Sequence, residues 1–536
     1  MSENPERNVD ETIVAPKRSF FERFIRGIEV IGNKFPHPFW LFVVLSLILM
    51  GLSWWLGREG LSVTYMAGKA GEAPKETTVS VVNLLSYPAM REFLAGFVKT
   101  YVNFAPLGLI MTMMLGISLL EHTGMISALM RKTILGAPRA LVVAVVAIVG
   151  INANLASDAG IIFTPVIAGA VFKALGRNPW VGVAAGYAAG AGGFTANFFV
   201  AGTDALLSGI TATAVEGVPT IPPGTPVHPL MNWYFMLSAT LVLTGLTVYV
   251  TEHYIVKMVG DAETVRDANA LKEHAVTPAE NRGLFCSLLA LVAYVALIVW
   301  LTYPEGSLFR NPETGAIVPR SPLLSSIMPL LFGLFFVVGT AYGLGAGVIR
   351  RAEDVPKLMQ KGLIGSTSFM VVVLPASLFV ALFRMSHFDT VLSVTGAEFL
   401  KAMNLGGIPL LVIFVVLVSF LNLFMISGSA KWLILAPIFV PMFAGVGFSP
   451  ALTQVAYRIG DSSTNIISPL SYYLPVMLGL LEQYKPKEDT KVGIGTVISL
   501  AMPYSLFYLA GFTLLLVAWY LLGLPLGPAT PATLAM

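Results

Sequence analysis

The sequence predicts an all-α, polytopic membrane protein, and three observations predict it. Hydrophobic residues fill 56% of the 536 positions and charged ones only 12%, against about a quarter charged in an ordinary soluble domain. Apolar runs such as FWLFVVLSLILMGLSWWLG from Phe39 and LLLVAWYLLG from Leu514 belong to stretches of the roughly 20 residues that cross about 30 Å of hydrocarbon as a helix. Two further apolar stretches are interrupted by small polar residues, so neither fits as a single crossing.

The elements follow in chain order. The N-terminus, MSENPERNVDETIVAPKRSF, lacks the basic and then apolar pattern of a cleavable signal peptide and is expected to be retained. Within residues 1–36, Phe20, Phe21, Phe24, Ile25, Ile28 and Ile31 share one helical face. That pattern suits a helix lying in the cytoplasmic interface or covering the protein's own inner face. About nine spans are expected, centred near residues 48, 110, 190, 245, 293, 334, 374, 465 and 508. They divide into a first half over 37–257 and a second over 284–523, joined by a charged cytoplasmic connector at 258–283 and followed by a tail at 524–536. VSVVNLLSYPAMREFLAGF, near Leu84, reads as an interfacial helix in the first outer loop, and VEGVPTIPPGTPVHP and EGSLFRNPETGAIVPRSP as Pro-rich external loops.

The first interrupted stretch, Leu141 to Phe172, is broken by NANLASDAG from Asn152. Arg131, Lys132 and Arg139 precede it and Lys173 and Arg177 follow it, so both ends prefer the cytoplasmic side and a re-entrant hairpin over about 140–172 is predicted. The second, Pro409 to Phe443, is broken by SGSAKW from Ser427 and predicts a hairpin over about 409–445. With both as hairpins, about 22 of the 33 Lys and Arg fall inside, about 9 outside, and Lys431 and Arg458 within the membrane. Lys431 is expected to snorkel toward water.

The two stretches are alike. Ser157 to Pro165 and Ser429 to Pro437 have identical spacing, and each is followed by a Gly-containing apolar helix broken by polar residues, around Asn197 (about 180–202) and around Asn465 (about 451–480). A hairpin and then a broken helix, repeated from opposite faces, is the signature of an inverted-repeat secondary transporter. Non-helical backbone survives at membrane depth only where protein or a water-filled cavity satisfies it. DSSTN, from Asp461, is therefore expected to be the unwound part of the second broken helix.

Other classes fit less well. No GxxxxGK[ST] loop marks an ATP-driven pump, and the six His (His37, His122, His228, His253, His274 and His387) form no ligand cluster. Cys286 has no partner for an intrachain disulfide, and a net charge of +3 with scattered basic residues argues against nucleic acid. An enzyme would need a base beside the serines of DSSTN, and no His accompanies them. A channel is separated from a carrier by passing current without stoichiometric coupling.

The most specific stretches, SGSAKW with LAPIFVPMF behind it, GFSPALTQVAYRIGDSSTNIISPL, NLASDAGIIFTP and AGGFTANFFVAGTDALLSG, resemble those of the p-aminobenzoyl-glutamate transporter (AbgT) family. The resemblance covers nearly the whole chain. It implies a multi-pass homodimer of the bacterial inner membrane with a cytoplasmic N-terminus, no cofactor, and a sodium or proton gradient as driving force. It also implies uptake of p-aminobenzoyl-glutamate or efflux of sulfonamide antimetabolites; a carrier of another small organic anion is the alternative. By motif, substrate-binding positions are Asp204, Ser429, Trp432, Pro450, Arg458 and Asp461, and a sodium site uses Asn422, Asp461 and Asn465. From the residues alone, Asp461 suits either cation, Arg458 is either its partner at i−3 or a clamp for a substrate carboxylate, and Trp432 either stacks on a substrate ring or anchors at the interface. Ser429 and Ser157 suit half-helix caps. Asn152, Ser157, Asp158 and Asn197 suit either a pseudo-symmetric counterpart of the second site or a structural role.

Overall fold

The structure, a computed structural model, describes residues 36–67, 75–216, 218–260, 274–317, 321–471, 473–485 and 490–534. The expected interfacial helix at 20–31 and much of the charged connector lie outside these residues. The class is all-α and polytopic. The helices, in order, are α1 Pro38–Arg58, α2 Tyr87–Val102, α3 Ala105–His122, α4 Met125–Leu135, α5 Val142–Ile151, α6 Ser157–Ala174, α7 Pro179–Tyr187, α8 Gly202–Val215, α9 Trp233–Val250, α10 Pro278–Trp300, α11 Ile327–Ala346, α12 Asp354–Met385, α13 Phe388–Ala402, α14 Gly407–Asn422, α15 Gly428–Ala444, α16 Pro450–Asn465, α17 Leu474–Gln483 and α18 Ile494–Leu521. Seven described helical stretches are long and apolar enough to cross a membrane. The crossings expected near residues 190 and 465 are the two interrupted ones.

Both hairpins fold back on themselves. A methyl group added at Gly150 would lie 3.1 Å from Thr164 Cγ2, whereas fourteen residues of unbroken helix span about 21 Å. Likewise the Phe414 and Phe439 rings are 4.8 Å apart across α14 and α15. The first hairpin turns through a 3-10 segment at Asn152–Ala156, and Ser427 caps α15 by accepting from Ala430 N.

The duplication reaches one element further than the sequence reading found. Each hairpin is fed by a short helix that meets it at nearly the same angle, 117° after α4 and 119° after α13. The buried residues of α13, Thr390, Val391, Ser393, Val394, Ala397 and Leu400, recur at helical spacing on one face, as a helix lying against the bundle requires.

Two expectations need correction. DSSTN is not unwound: α16 runs through Asn465, because Ser463 Oγ and Thr464 Oγ1 donate back to the carbonyls of Ile459 (2.6 Å) and Gly460 (2.9 Å) and leave the ladder intact. The interruption begins at Ile466, and Pro469 cannot continue a helix. After α1 the expected interfacial helix starts only at Tyr87, after a two-stranded antiparallel hairpin, β1 Ser62–Ala67 and β2 Lys75–Ser80, that pairs Val63 with Val79. This hairpin is a small addition to the all-α class, and Val63 and Val81 pack on Val391 and Val394 of α13.

Glycine sets the spacing between α14 and α16. A Cβ at Gly460 would sit 2.6 Å from Val415 O and 2.8 Å from Val418 Cβ, so Gly460→Ala pushes the two helices apart. We expect it to cost about 1–3 kcal/mol, read as a lowered unfolding temperature of the purified protein.

Candidate functional site

Both halves converge on one cavity of about 260 Å³. Ile161 of α6, Ala191, Phe194 and Thr195 from the first break, and Thr203, Leu206 and Leu207 of α8 line one side. Ile426 to Ser429 at the second hairpin tip, Asp461 and Asn465 of α16, and Ser471 and Tyr473 from the second break line the other. The space is mostly apolar with a few convergent polar groups, the usual character of a small-molecule site.

Each break is held to its own hairpin by asparagine. In the first half Asn154 Nδ2 donates to Phe194 O (2.5 Å) and Ala196 O (3.2 Å), while Asn152 Oδ1 accepts from Phe198 N at 2.8 Å. In the second, Asn422 Nδ2 donates to Asp461 O (2.7 Å), Thr464 Oγ1 (3.0 Å) and Asn465 Oδ1 (2.9 Å). In the first half these bonds satisfy carbonyls that the break would otherwise leave orphaned in a low-dielectric interior; in the second they tie the end of α14 to the end of α16 just before the break. Asn154 was missed in the sequence because Asn152 carries the closer motif match.

Four buried charges flank the cavity as two ion pairs, and neither is the pair expected. Arg458 does not turn to Asp461 at i−3. Its Nη2 lies 2.7 Å from Asp204 Oδ1 and donates to Thr195 O at 2.7 Å, with the two side chains 1% and 6% exposed. Asp204 sits in the first turn of α8, where a carboxylate favours the helix N-terminus. Its Oδ2 accepts from Ala201 N (2.7 Å) and Asn197 Nδ2 (3.1 Å). Lys431 does not snorkel: its helix lies inside the bundle, and Nζ is 2.6 Å from Asp461 Oδ1, the two side chains 3% and 4% exposed.

Trp432 is no interfacial anchor and its ring is not open to the cavity. It is fully buried, stacked on Tyr457 at 4.5 Å, with Nε1 donating to Thr211 Oγ1 at 2.9 Å. Thr211 then donates to Gln454 Oε1 (2.6 Å), and Gln454 Nε2 to Asn232 Oδ1 (2.9 Å), a chain that fixes α8, α9, α15 and α16 together. Pro450 opens α16 behind the Ser449 cap, about 16 Å along the helix from Asp461. Ser157 and Asp158 open α6, and their side chains lie outside the described residues. Of the residues nominated from sequence, Ser429, Asp461 and Asn465 line the cavity; Asp204, Arg458, Asn422 and Asn197 stand behind its wall.

Residue type alone did not nominate Thr203 and Ser471. Both line the cavity; Thr203 Oγ1 is a buried oxygen with no hydrogen-bond partner, and Ser471 Oγ is buried beside the Tyr187 hydroxyl. Most helical hydroxyls here, such as those of Thr164, Thr240 and Thr247, bond back to the carbonyl four residues earlier. An unmet one is therefore the exception that points to a ligand.

The AbgT putative transporter family model matches residues 23–534. The chain belongs to that family. As an AbgT-family member it is a multi-pass membrane transporter and not an enzyme. It is 38% identical over 513 residues to the p-aminobenzoyl-glutamate transport protein of Escherichia coli (strain K12), covering 96% of this chain and 97% of that one. Among solved structures, the YdaH transporter of Alcanivorax borkumensis, described as having an unusual topology, superposes with a TM-score of 0.83 at 34% identity over 92% of this chain and 100% of that one. MtrF of Neisseria gonorrhoeae, described as illuminating a class of antimetabolite efflux pumps, superposes with a TM-score of 0.87 at 36% identity, covering 95% and 100%.

Proposed function

We propose that this AbgT-family chain carries small aromatic carboxylates of the p-aminobenzoyl-glutamate kind across the bacterial inner membrane, using the cavity between the two breaks as its transport site and a proton or sodium gradient as its driving force. The observation that carries this reading is the unpartnered hydroxyl of Thr203, in one space that also holds the Ser471 hydroxyl and the aromatic rings of Phe194 and Tyr473. A buried unmet hydroxyl costs about 1–3 kcal/mol, so a solute whose amide and carboxylate groups meet these atoms while its ring packs on the aromatic surface is favoured. The name of the Escherichia coli relative supports the same substrate class.

A second reading, export of sulfonamide-like antimetabolites, has its own support. Lys431 and Arg458 are both already paired with carboxylates, so the cavity offers hydroxyls and amides rather than free positive charge, which suits a ring with a sulfonyl acceptor. The description of MtrF as representing antimetabolite efflux pumps points the same way.

Flux into proteoliposomes separates these readings, with labelled p-aminobenzoyl-glutamate and, separately, a sulfonamide, under imposed sodium or proton gradients. Saturable, uphill movement of the first is expected; conductance without coupling would replace the carrier with a channel. Thr203→Val or Ser471→Ala is expected to raise the half-saturating solute concentration about 3- to 10-fold, the worth of one hydrogen bond. The proposal includes a homodimer with a cytoplasmic N-terminus, checked by light scattering in detergent and by one-sided labelling of Ser2→Cys.

A further inference from the structure

The residues that the family resemblance implies for sodium do not fit that ion as they are arranged. Asn422 Oδ1 accepts a hydrogen bond from Lys431 Nζ, Asp461 Oδ1 lies 2.6 Å from the same nitrogen, and Asn465 Oδ1 accepts from Asn422 Nδ2 at 2.9 Å. A hard cation needs several oxygens turned toward it at once. Here two of the three face an ammonium and the third faces an amide N–H. Asp461 Oδ1 and Lys431 Nζ lie within hydrogen-bond distance, a charge-assisted contact that places the ammonium where a cation would sit beside that oxygen.

The ammonium sits where three helices meet, because Asn422 ends α14, Lys431 lies in the first turn of α15 and Asp461 is near the end of α16. We propose that Lys431 is a tethered cation: its ammonium takes the place of a free ion between Asp461 and Asn422, so that Lys431 Nζ and a coupling cation exclude each other there. The reason is electrostatic. A carboxylate so deeply buried is costly without compensation, and a second positive charge at the same oxygen repels the first strongly where the dielectric is low.

The inference deepens the proposed transport reading and rests on it, yet its test needs no flux, so the two can fail separately. The unfolding midpoint of the purified full-length chain is followed as sodium chloride replaces choline chloride at constant ionic strength. In Lys431→Met the vacated carboxylate is open, and sodium is expected to raise the midpoint with an apparent affinity at least about tenfold above that of the native chain, since the competing occupant is gone. In Lys431→Met/Asp461→Asn the sodium response should vanish. Equal sodium responses in native and Lys431→Met protein, or a response retained in the double variant, would overturn the proposal. Should Lys431→Met not fold, a cryo-EM map of the native chain in sodium decides: ion density with Nζ withdrawn from Asp461 supports exclusion, and ion density with Nζ still in contact, or no ion at Asp461 with Nζ already withdrawn, refutes it.

Discussion

Replacing Asp204 with Asn is expected to be among the most damaging single changes to the fold, destabilising it by about 3–5 kcal/mol. Arg458 is 1% exposed and its Nε has no partner, and without the Asp204 carboxylate its guanidinium faces only neutral acceptors, the amide oxygen of the new side chain and the Thr195 carbonyl. An arginine cannot shed its charge to escape such a site. The same substitution weakens the N-terminus of α8, where Asp204 Oδ2 holds Ala201 N and Asn197. The double variant Asp204→Asn/Arg458→Met removes both charges and is expected to recover much of the loss, because a buried pair exchanged for neutral groups of similar shape is often nearly neutral. Thermal unfolding in detergent reads both. Native-like stability in Asp204→Asn would mean that the pair does not form.

Asp461→Asn is expected to reduce gradient-driven flux to the level of protein-free liposomes while the chain still assembles. The substitution keeps the shape at the cavity wall, and an amide oxygen remains to accept from Lys431. The backbone carbonyl of residue 461, which accepts from Asn422 Nδ2 at 2.7 Å, is untouched. What disappears is the carboxylate that faces the cavity, which is 3% exposed. A chain does not retain such a group at membrane depth without a partner or a task, since insertion alone costs about 2.5–3.5 kcal/mol. Size-exclusion chromatography checks assembly, and unaltered flux would remove Asp461 from the mechanism.

The two predictions differ in how legible their residues were. Asp461 was nominated by its neighbours, a carboxylate among small polar residues in a stretch built for lipid. Arg458 was nominated for the same reason but given the wrong partner. Three positions apart on a helix is a real adjacency, yet Asp204 on α8 offers the guanidinium a carboxylate already fixed by two N–H donors. Lys431 was read as snorkelling because a long basic side chain in a membrane usually reaches for water; that holds only if its helix faces lipid or an interface, and α15 does not at this position. Trp432 failed similarly, its ring covered by Tyr457 from a helix that hydropathy cannot dock. Thr203 was invisible because a hydroxyl without a partner looks, in sequence, like one bonded to its own helix, and Ser471 because only the fold brings its stretch to the cavity.

The positions of the helices, the two hairpins and the stretches containing each break could be read from one dimension, because apolar length, the side preferred by Lys and Arg, and the chemistry of Pro, Gly and Ser act over a few neighbouring residues. Which buried charge meets which, which aromatic face is covered and which hydroxyl is left unmet emerged only from the folded chain. Those outcomes depend on distances between α8, α15 and α16, segments remote from one another in sequence, and in a low-dielectric interior a difference of a few ångströms settles the pairing.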